Sequence, residues 1–327
     1  MQAATYHGRK DIRVEEVAEG TVGAGEVRID IDACGICGSD LHEYTAGPIF
    51  VPEDDPHPVS EEAAPIRMGH EYSGTIAEVG DGVTDLAVGD AVAVNPILYC
   101  GECRQCNEGN YHVCDSVGFI GLSGGNGGFA ESAVVDAEHA VPLGEDVPVE
   151  HGALVEPLSV ALHAVRRSGL QAGDAVAVFG SGPIGLAVIQ CARVAGAGTI
   201  FVSEPRDARR ERAADCGATE LVDPSTTDPV EYVHSHTDGG ADVAFEVAGV
   251  EPSFNAALES TAPSGRTTIV SIWEEEVSTH PNTLVLGERT VTGTLAYLGG
   301  PRSDEEYGMV IDMLADGRLD PDPFITG

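Results

Sequence analysis

The sequence predicts an α/β protein: a strand-rich first part, then a parallel sheet with helices on both faces, wound in both directions. Three observations point there. A Gly-x-Gly-x-x-Gly turn, Gly180-Ser-Gly182-Pro183-Ile184-Gly185, stands between a β-rich run, Ala175–Phe179, and a helix-compatible run from Pro183 to Ala195. Near Leu154 the chain changes from short strands and glycine turns to β-α-β alternation. Four cysteines crowd into one glycine-containing loop, Cys100 to Cys114.

In the first part, Val27, Ile29, Ile31 and Ala33 alternate with Arg28, Asp30 and Asp32, the period of a half-buried strand. Gly74–Gly80 and Asp90–Val94 read as further short strands. Gly47 to Pro65 is a long loop rich in proline and acid, either a solvated insertion or a lid or rim over a site. In the second part the expected order is strand Ala175–Phe179, helix Ile184–Val194, strand Thr199–Ser203, helix Arg206–Cys216, strand Ala241–Val247, helix Pro252–Ser260 and strand Thr267–Ile272. Val291–Leu298 reads as one more strand. Ser303-Asp-Glu-Glu306 has the pattern of a capping box before a helix carrying Met309, Val310, Met313 and Leu314.

The parts of the glycine turn have separate physical tasks. Gly180 permits the tight turn, Gly182 lets a pyrophosphate approach the backbone, and Gly185 lets helix and strand pack closely. Pro183 suits the first helical position, where a missing N–H costs little, and the helix N-terminus offers free N–H groups to phosphates. Glu204, 19 residues beyond Gly185, is spaced to bind the ribose hydroxyls of an adenosine. An acid there repels a 2′-phosphate, so NAD is expected over NADP. Arg206, Arg209 and Arg210 follow. They are read as a solvated helix face with one guanidinium, assigned to Arg209, stacking on adenine; accommodation of a phosphate is the alternative.

Composition bounds the rest. A chain of 327 residues suggests about two domains. The formal net charge is −37, and Lys10 is the single lysine. Such a chain repels itself at low salt. At molar salt the screening length falls to about 3 Å, so a high-salt cytoplasm is the expected setting. Nucleic acid is not an expected partner, because phosphate binding needs clustered Lys and Arg. The first residues lack the charged start and apolar core of a secretory signal. Ala175–Cys191 is long and uncharged but is broken by Gly-Ser-Gly-Pro, so no membrane span is expected.

Cys100-x-x-Cys103-x-x-Cys106-x7-Cys114 is the strongest metal signal. Four thiolates can close a tetrahedron around Zn²⁺ and leave no open position, which makes the site structural. Four reduced cysteines or an iron–sulfur cluster are the alternatives. A second set is scattered: Cys37, Gly69-His70-Glu71 and Glu156. Together they offer one thiolate, one imidazole and one or two carboxylates, suited to a catalytic zinc with an open fourth position. Cys34-x-x-Cys37 also has redox-pair spacing, without the surrounding βαβ unit such pairs need.

These residues carry a family resemblance. Cys34-Gly-Ile-Cys37-Gly-Ser39-Asp-Leu-His42-Glu, Gly69-His70-Glu71, the four-cysteine loop, Glu156-Pro-Leu-Ser-Val and Gly180-Ser-Gly-Pro-Ile-Gly resemble, in order, the zinc-dependent medium-chain dehydrogenases. Within them the chain looks most like the 2,3-butanediol dehydrogenases, on His42–Pro52, the long insertion before Gly69 and Leu154–Val165; sorbitol and threonine dehydrogenases are the nearest alternatives. The resemblance implies a GroES-like β-barrel catalytic domain over residues 1–154, a Rossmann NAD-binding domain over 155–297, and a segment 298–327 that returns toward the catalytic domain and ends earlier than in relatives. It also implies a homodimer or homotetramer, two Zn²⁺ per subunit, and a substrate cleft between the domains. Glu156 stands where liver-type alcohol dehydrogenases carry a cysteine, which favours a diol or polyol over ethanol.

By the same resemblance, zinc at Cys37, His70 and Glu156 would act as a Lewis acid on the substrate hydroxyl. Glu71 would be either a ligand or an exchanging neighbour. Ser39 and His42 would relay the proton to solvent. The expected activity is hydride transfer between NAD and a secondary alcohol, most of all 2,3-butanediol and acetoin. A catalytically silent NAD-binding protein is the rival from another class. The charge reading generates the first prediction: the melting temperature is higher in molar KCl than in dilute buffer, and a lower value in KCl contradicts it.

Overall fold

The computed structural model describes residues 1–325; Thr326 and Gly327, the end of the expected C-terminal segment, lie outside the described residues. The chain divides into two compact units. One holds Met1–Glu156 and Tyr297–Ala315, the other Pro157–Ala296 and the residues from Asp316 on.

In the first unit, period-two alternation makes strands with one buried face. Val27 and Ile29 are fully buried, while Asp30 and Asp32 on the same strand, Glu26–Gly35, face solvent. That strand lies in a five-stranded antiparallel sheet ordered Ala140–Pro142, Ala91–Val94, Glu71–Val79, Glu26–Gly35, Ser132–Asp136. Val27, Ile29, Tyr72, Ile76, Val92 and Val135 form its core. A three-stranded sheet, Asp11–Glu16, Gln2–Gly8 and Ile66–Arg67, accompanies it. The expected loop between Gly47 and Pro65 has no strand or helix, yet it is fastened at several points. The buried Glu43 carboxylate accepts the N–H groups of Ile49, Phe50 and Val51. Ser60 Oγ donates to Ser123 O at 2.5 Å, and Gly125 N donates to Glu62 at 3.0 Å. The insertion is therefore fastened to the body of the first unit, with residues 53–56 exposed.

The second unit carries the parallel sheet, ordered Glu220–Val222, Thr199–Ser203, Ala175–Phe179, Ala241–Glu246, Thr261–Ile269, Thr290–Gly293. Helices Pro183–Val194, Asp207–Asp215, Pro229–His236 and Glu251–Ser260 connect its strands. Two strands differ from expectation. Thr261–Ile269 starts where the preceding helix ends, and its Pro-Ser-Gly stretch is absorbed as a register shift, with Ser264 at φ 63°. The strand expected at Val291–Leu298 is Thr290–Gly293, because the chain leaves this unit after Ala296. The last long helix is Ser303–Ala315. Ser303 is its first residue and donates from Oγ to Gly300 O at 2.7 Å.

The glycine turn shows its constraints directly. Gly180 adopts φ +102° and packs so closely that a Cβ would lie 3.0 Å from Ala248 Cβ. A Cβ on Gly185 would lie 2.2 Å from Gly180 O, whereas one on Gly182 would meet only Arg209, at 3.8 Å. Gly185→Ala should therefore lower stability by about 1–3 kcal/mol through overpacking. Urea unfolding checks this; an unchanged midpoint would show that the turn can open without cost.

Candidate active site

Strand Glu26–Gly35 delivers the chain to Cys37, and Cys37 occupies the position before helix Gly38–Ala46. The helix opens with Ser39 and Asp40. Asp40 Oδ2 accepts the Cys37 N–H at 2.9 Å, which secures the turn that aims the thiol. His70 arrives from the other side, ahead of strand Glu71–Val79. Gly69 before it takes φ +95°, and a Cβ there would lie 2.7 Å from Phe129 N and 2.9 Å from Cys34 Sγ. Glu71 pairs across the sheet with Gly35; a Cβ on Gly35 would lie 2.2 Å from Glu71 Oε2. Gly35 thus clears the space for the Glu71 carboxylate, and Gly69 allows the close-packed left-handed turn just before His70.

The outcome is a compact donor set. Ligand atoms of Cys37, His70 and Glu71 all lie within 4.8 Å of one another. His70 Nε2 is 3.2 Å from Ser39 Oγ, and His70 Nδ1 is 3.5 Å from Asp40 Oδ1. A carboxylate behind the imidazole fixes ring orientation and raises basicity at the other nitrogen. Burial disfavours charge on His70, but the contacts with Asp40 and Cys37 prevail and hold its pKa well above the ordinary value. Burial raises Cys37 and Glu71, and with each of them a neighbouring anion adds to the rise. Thiol and carboxyls held near protons in this way are deprotonated by a divalent cation, which inverts the local balance.

Glu156 is not one of the three grouped residues. Its buried carboxylate accepts the Tyr297 hydroxyl at 2.7 Å, and burial, aided by the charge of Glu71, raises its pKa to about 7. Tyr297 stands 3.3 Å from the Tyr307 hydroxyl, which also reaches Val94 O at 3.1 Å. Ser39 and His42 lie three residues apart on one helix, on neighbouring positions of the same face. Asp40, Tyr297 and Tyr307 went unnoticed in the sequence. Asp40 had a local signal, an acid in the first helical turn after Cys37. Tyr297 had none, being 141 positions from its partner.

The four-cysteine loop forms a second donor set. Cys103 Sγ lies 3.5 Å from Cys106 Sγ and 3.8 Å from Cys114 Sγ, and Cys114 Sγ lies 3.4 Å from Cys100 Sγ. These separations are far too long for disulfides. They approach the roughly 3.8 Å edge of a zinc–thiolate tetrahedron with Zn–S near 2.3 Å. Backbone N–H groups of Asp115 and Cys106 draw the Cys103 thiol down to about 6, while burial pushes Cys106 up to about 12 and raises Cys114.

In the second unit a cleft of about 850 Å³ runs beside the glycine turn; Gly180, Gly182, Glu204, Arg209, Ala248 and Ser253 are among its lining residues. Pro183, Ile184 and Gly185 begin the helix beneath it. The buried Glu204 carboxylate accepts Ser181 N and Arg206 N, each at 3.1 Å, and Arg209 reaches it at 3.9 Å. Arg210 is spent on Asp207, Asp223 and Glu204 O. The open approach at Gly182 fits a pyrophosphate.

Tyr297→Phe tests the carboxylate support. Removing one partner of a buried charged hydrogen bond costs on the order of 1–3 kcal/mol. A urea midpoint equal to the parent's would show that the hydroxyl contributes nothing.

Comparison with known proteins agrees with this geometry. Residues 23–145 match the alcohol dehydrogenase GroES-like domain family, and residues 183–316 match the zinc-binding dehydrogenase family. The chain is 46% identical over 327 residues to the (R,R)-butanediol dehydrogenase of Bacillus subtilis, covering 100% of this chain and 91% of that one. It is 39% identical over 329 residues to the (R,R)-butanediol dehydrogenase of Neisseria gonorrhoeae, again over 100% and 91%. The crystal structure of the Bacillus subtilis 2R,3R-butanediol dehydrogenase matches with a TM-score of 0.92, 46% identity, and coverage of 99% and 91%. With thiolate, imidazole and carboxylate donors gathered in one unit and a glycine-turn cleft in the other, the chain belongs to the zinc-binding medium-chain alcohol dehydrogenase family and is an oxidoreductase.

Proposed function

We propose that the protein is an NAD-dependent dehydrogenase of vicinal diols, interconverting 2,3-butanediol and acetoin. The observation that carries this reading is the Cys37–His70–Glu71 set, half-buried at the thiol and buried at the other two, with a further carboxylate, Glu156, in place of a second thiolate. The names of the relatives point to the same substrate class. Cys37, His70 and Glu71 would hold the catalytic zinc, with Glu156 as the neighbouring acid held by Tyr297. Cys100, Cys103, Cys106 and Cys114 would hold a structural zinc. Bound zinc supplies a Lewis acid that lowers the pKa of the substrate hydroxyl. The nicotinamide supplies the hydride acceptor in oxidation and the donor in reduction.

The residues of the chain handle the proton. Ser39 Oγ, beside His70 Nε2, accepts the proton leaving the substrate hydroxyl and passes its own toward His42, which is half-buried on the same helix face. Loss of hydride and proton together turns the carbinol into a ketone, and the reverse sequence reduces acetoin. Asp40 keeps His70 oriented while this happens. A buried anion at Glu204 disfavours a 2′-phosphate, which supports NAD over NADP.

Association of identical subunits belongs to the same reading. Thr290–Gly293 is one of the two edge strands of the parallel sheet; Val291 in it and Val285 and Leu286 just before it are exposed. A sheet edge flanked by apolar side chains invites pairing with a second copy. The charge of −37 supports a high-salt cytoplasm as the setting. No described helix is long and apolar enough to cross a membrane.

Metal analysis and a substrate panel at molar KCl test the whole. The expected outcome is close to two zinc per subunit and the highest kcat/KM on 2,3-butanediol with NAD⁺. Ser39→Ala is expected to lose about 10²–10⁴-fold in kcat. Zinc near zero, or sorbitol or threonine outrunning the diol, would sink the reading.

A further inference from the structure

Glu246 ends strand Ala241–Glu246, and its side chain is fully buried. A buried carboxylate is costly unless hydrogen bonds replace its water. Here they come from two separate segments. Oε1 accepts the N–H groups of Ala248 and Gly249, each at 2.9 Å, and the Ser253 hydroxyl at 2.6 Å. Oε2 accepts the Ser271 hydroxyl. Gly249 takes φ +70°, which turns the two successive N–H groups into one concavity closed on the carboxylate. A Cβ on Gly249 would lie 3.2 Å from Ile272 O, so the two segments also touch through backbone.

This hub stands directly behind the glycine turn. Val247, Ala248, Val250, Pro252 and Ser253 line the same cleft as Gly180 and Gly182. Ala248 is the residue that a Cβ on Gly180 would strike, and Val247 Cγ2 lies 3.6 Å from the corresponding point on Gly185. The position of residues 247–250 therefore shapes the cleft wall next to the turn, and Glu246 sets the position of residues 247–250.

We propose that Glu246 is a positioning residue for the dinucleotide: by holding residues 247–253 and Ser271 on one carboxylate, it fixes the cleft wall that packs against the glycine turn before the ligand arrives. The inference rests on the dinucleotide-binding reading of that cleft. Pre-formed walls raise affinity by removing the ordering cost from the binding step. Loss of the hub should thus weaken dinucleotide binding while the zinc sites, in the other unit, stay loaded.

Binding is measured as the Kd of NADH by fluorescence titration of the zinc-loaded protein in molar KCl, alongside thermal unfolding, zinc content and the split of kcat from KM for NAD⁺. Glu246→Ala is expected to raise the Kd about tenfold or more, with KM for NAD⁺ rising more than kcat falls and zinc unchanged. Glu246→Asp, shorter by one methylene, should do the same and serves if the alanine variant fails to fold. Glu246→Gln is the rescue. Its amide oxygen can accept from Ala248, Gly249 and Ser253, and its NH₂ can donate to a rotated Ser271 hydroxyl, so its Kd should stay within about threefold of the parent's. In the unliganded parent, the Ala248 and Gly249 amides should exchange slowly with deuterium. A folded alanine or aspartate variant that binds NADH like the parent, a glutamine variant no better than alanine, or rapid exchange at those amides overturns the inference. Failure of the parent itself to bind NADH overturns the dinucleotide reading instead.

Discussion

A buried imidazole ringed by acids is the constraint on which the first unit depends. Cys37, Asp40 and Glu71 approach His70 from two chain segments, and Glu156 is close enough for its charge to be felt by Cys37 and by the imidazole. Burial opposes ionisation of Cys37, Glu71 and Glu156, and neighbouring negative charge adds to the effect at each. A divalent cation bound there would reconcile them, since it would replace several protons with one centre of charge. The surrounding architecture follows from keeping that ring tight. Gly35 leaves room for Glu71, Gly69 turns His70 inward, and Asp40 locks the start of the helix that carries Ser39 and His42.

The same economy recurs with buried glutamates elsewhere. Glu43 gathers the amides of Ile49, Phe50 and Val51; Glu204 those of Ser181 and Arg206; Glu246 those of Ala248 and Gly249; Glu306 that of Leu298. In a chain with one lysine, these anions are satisfied chiefly by backbone N–H groups and hydroxyls. Charge-assisted bonds of this kind are stronger than neutral ones and act on the backbone itself. Each glutamate thereby shapes a loop, and three of those loops border a cleft or the long insertion.

What could be read from the sequence was whatever is encoded over short distances. The glycine turn, Pro183 at the helix start, Glu204 at the end of the next strand and the four-cysteine loop all depend on local spacing, and each stands where that spacing suggested. Partnerships made by tertiary packing were illegible. Nothing near Tyr297 announces that its hydroxyl meets Glu156, and nothing near Glu246 announces the Ser271 hydroxyl 25 residues away. Element ends were blurred for a related reason. Pro263-Ser264-Gly265 has the composition of a turn, yet pairing with Ala241–Glu246 draws it into a strand at the expense of one register shift. The nearness of Glu71 to Cys37 and His70 likewise depends on tertiary structure, because Glu71 pairs across the sheet with Gly35.

The chain passes between the two units three times, after Glu156, after Ala296 and after Ala315. Exchange of the nucleotide-binding module by recombination therefore demands three compatible junctions, and a crossover at the first alone would import a foreign Tyr297–Ala315 segment against the native Glu156 and Val94. Point changes within the second unit leave all three junctions intact, whereas replacing that unit as a whole disturbs every one of them.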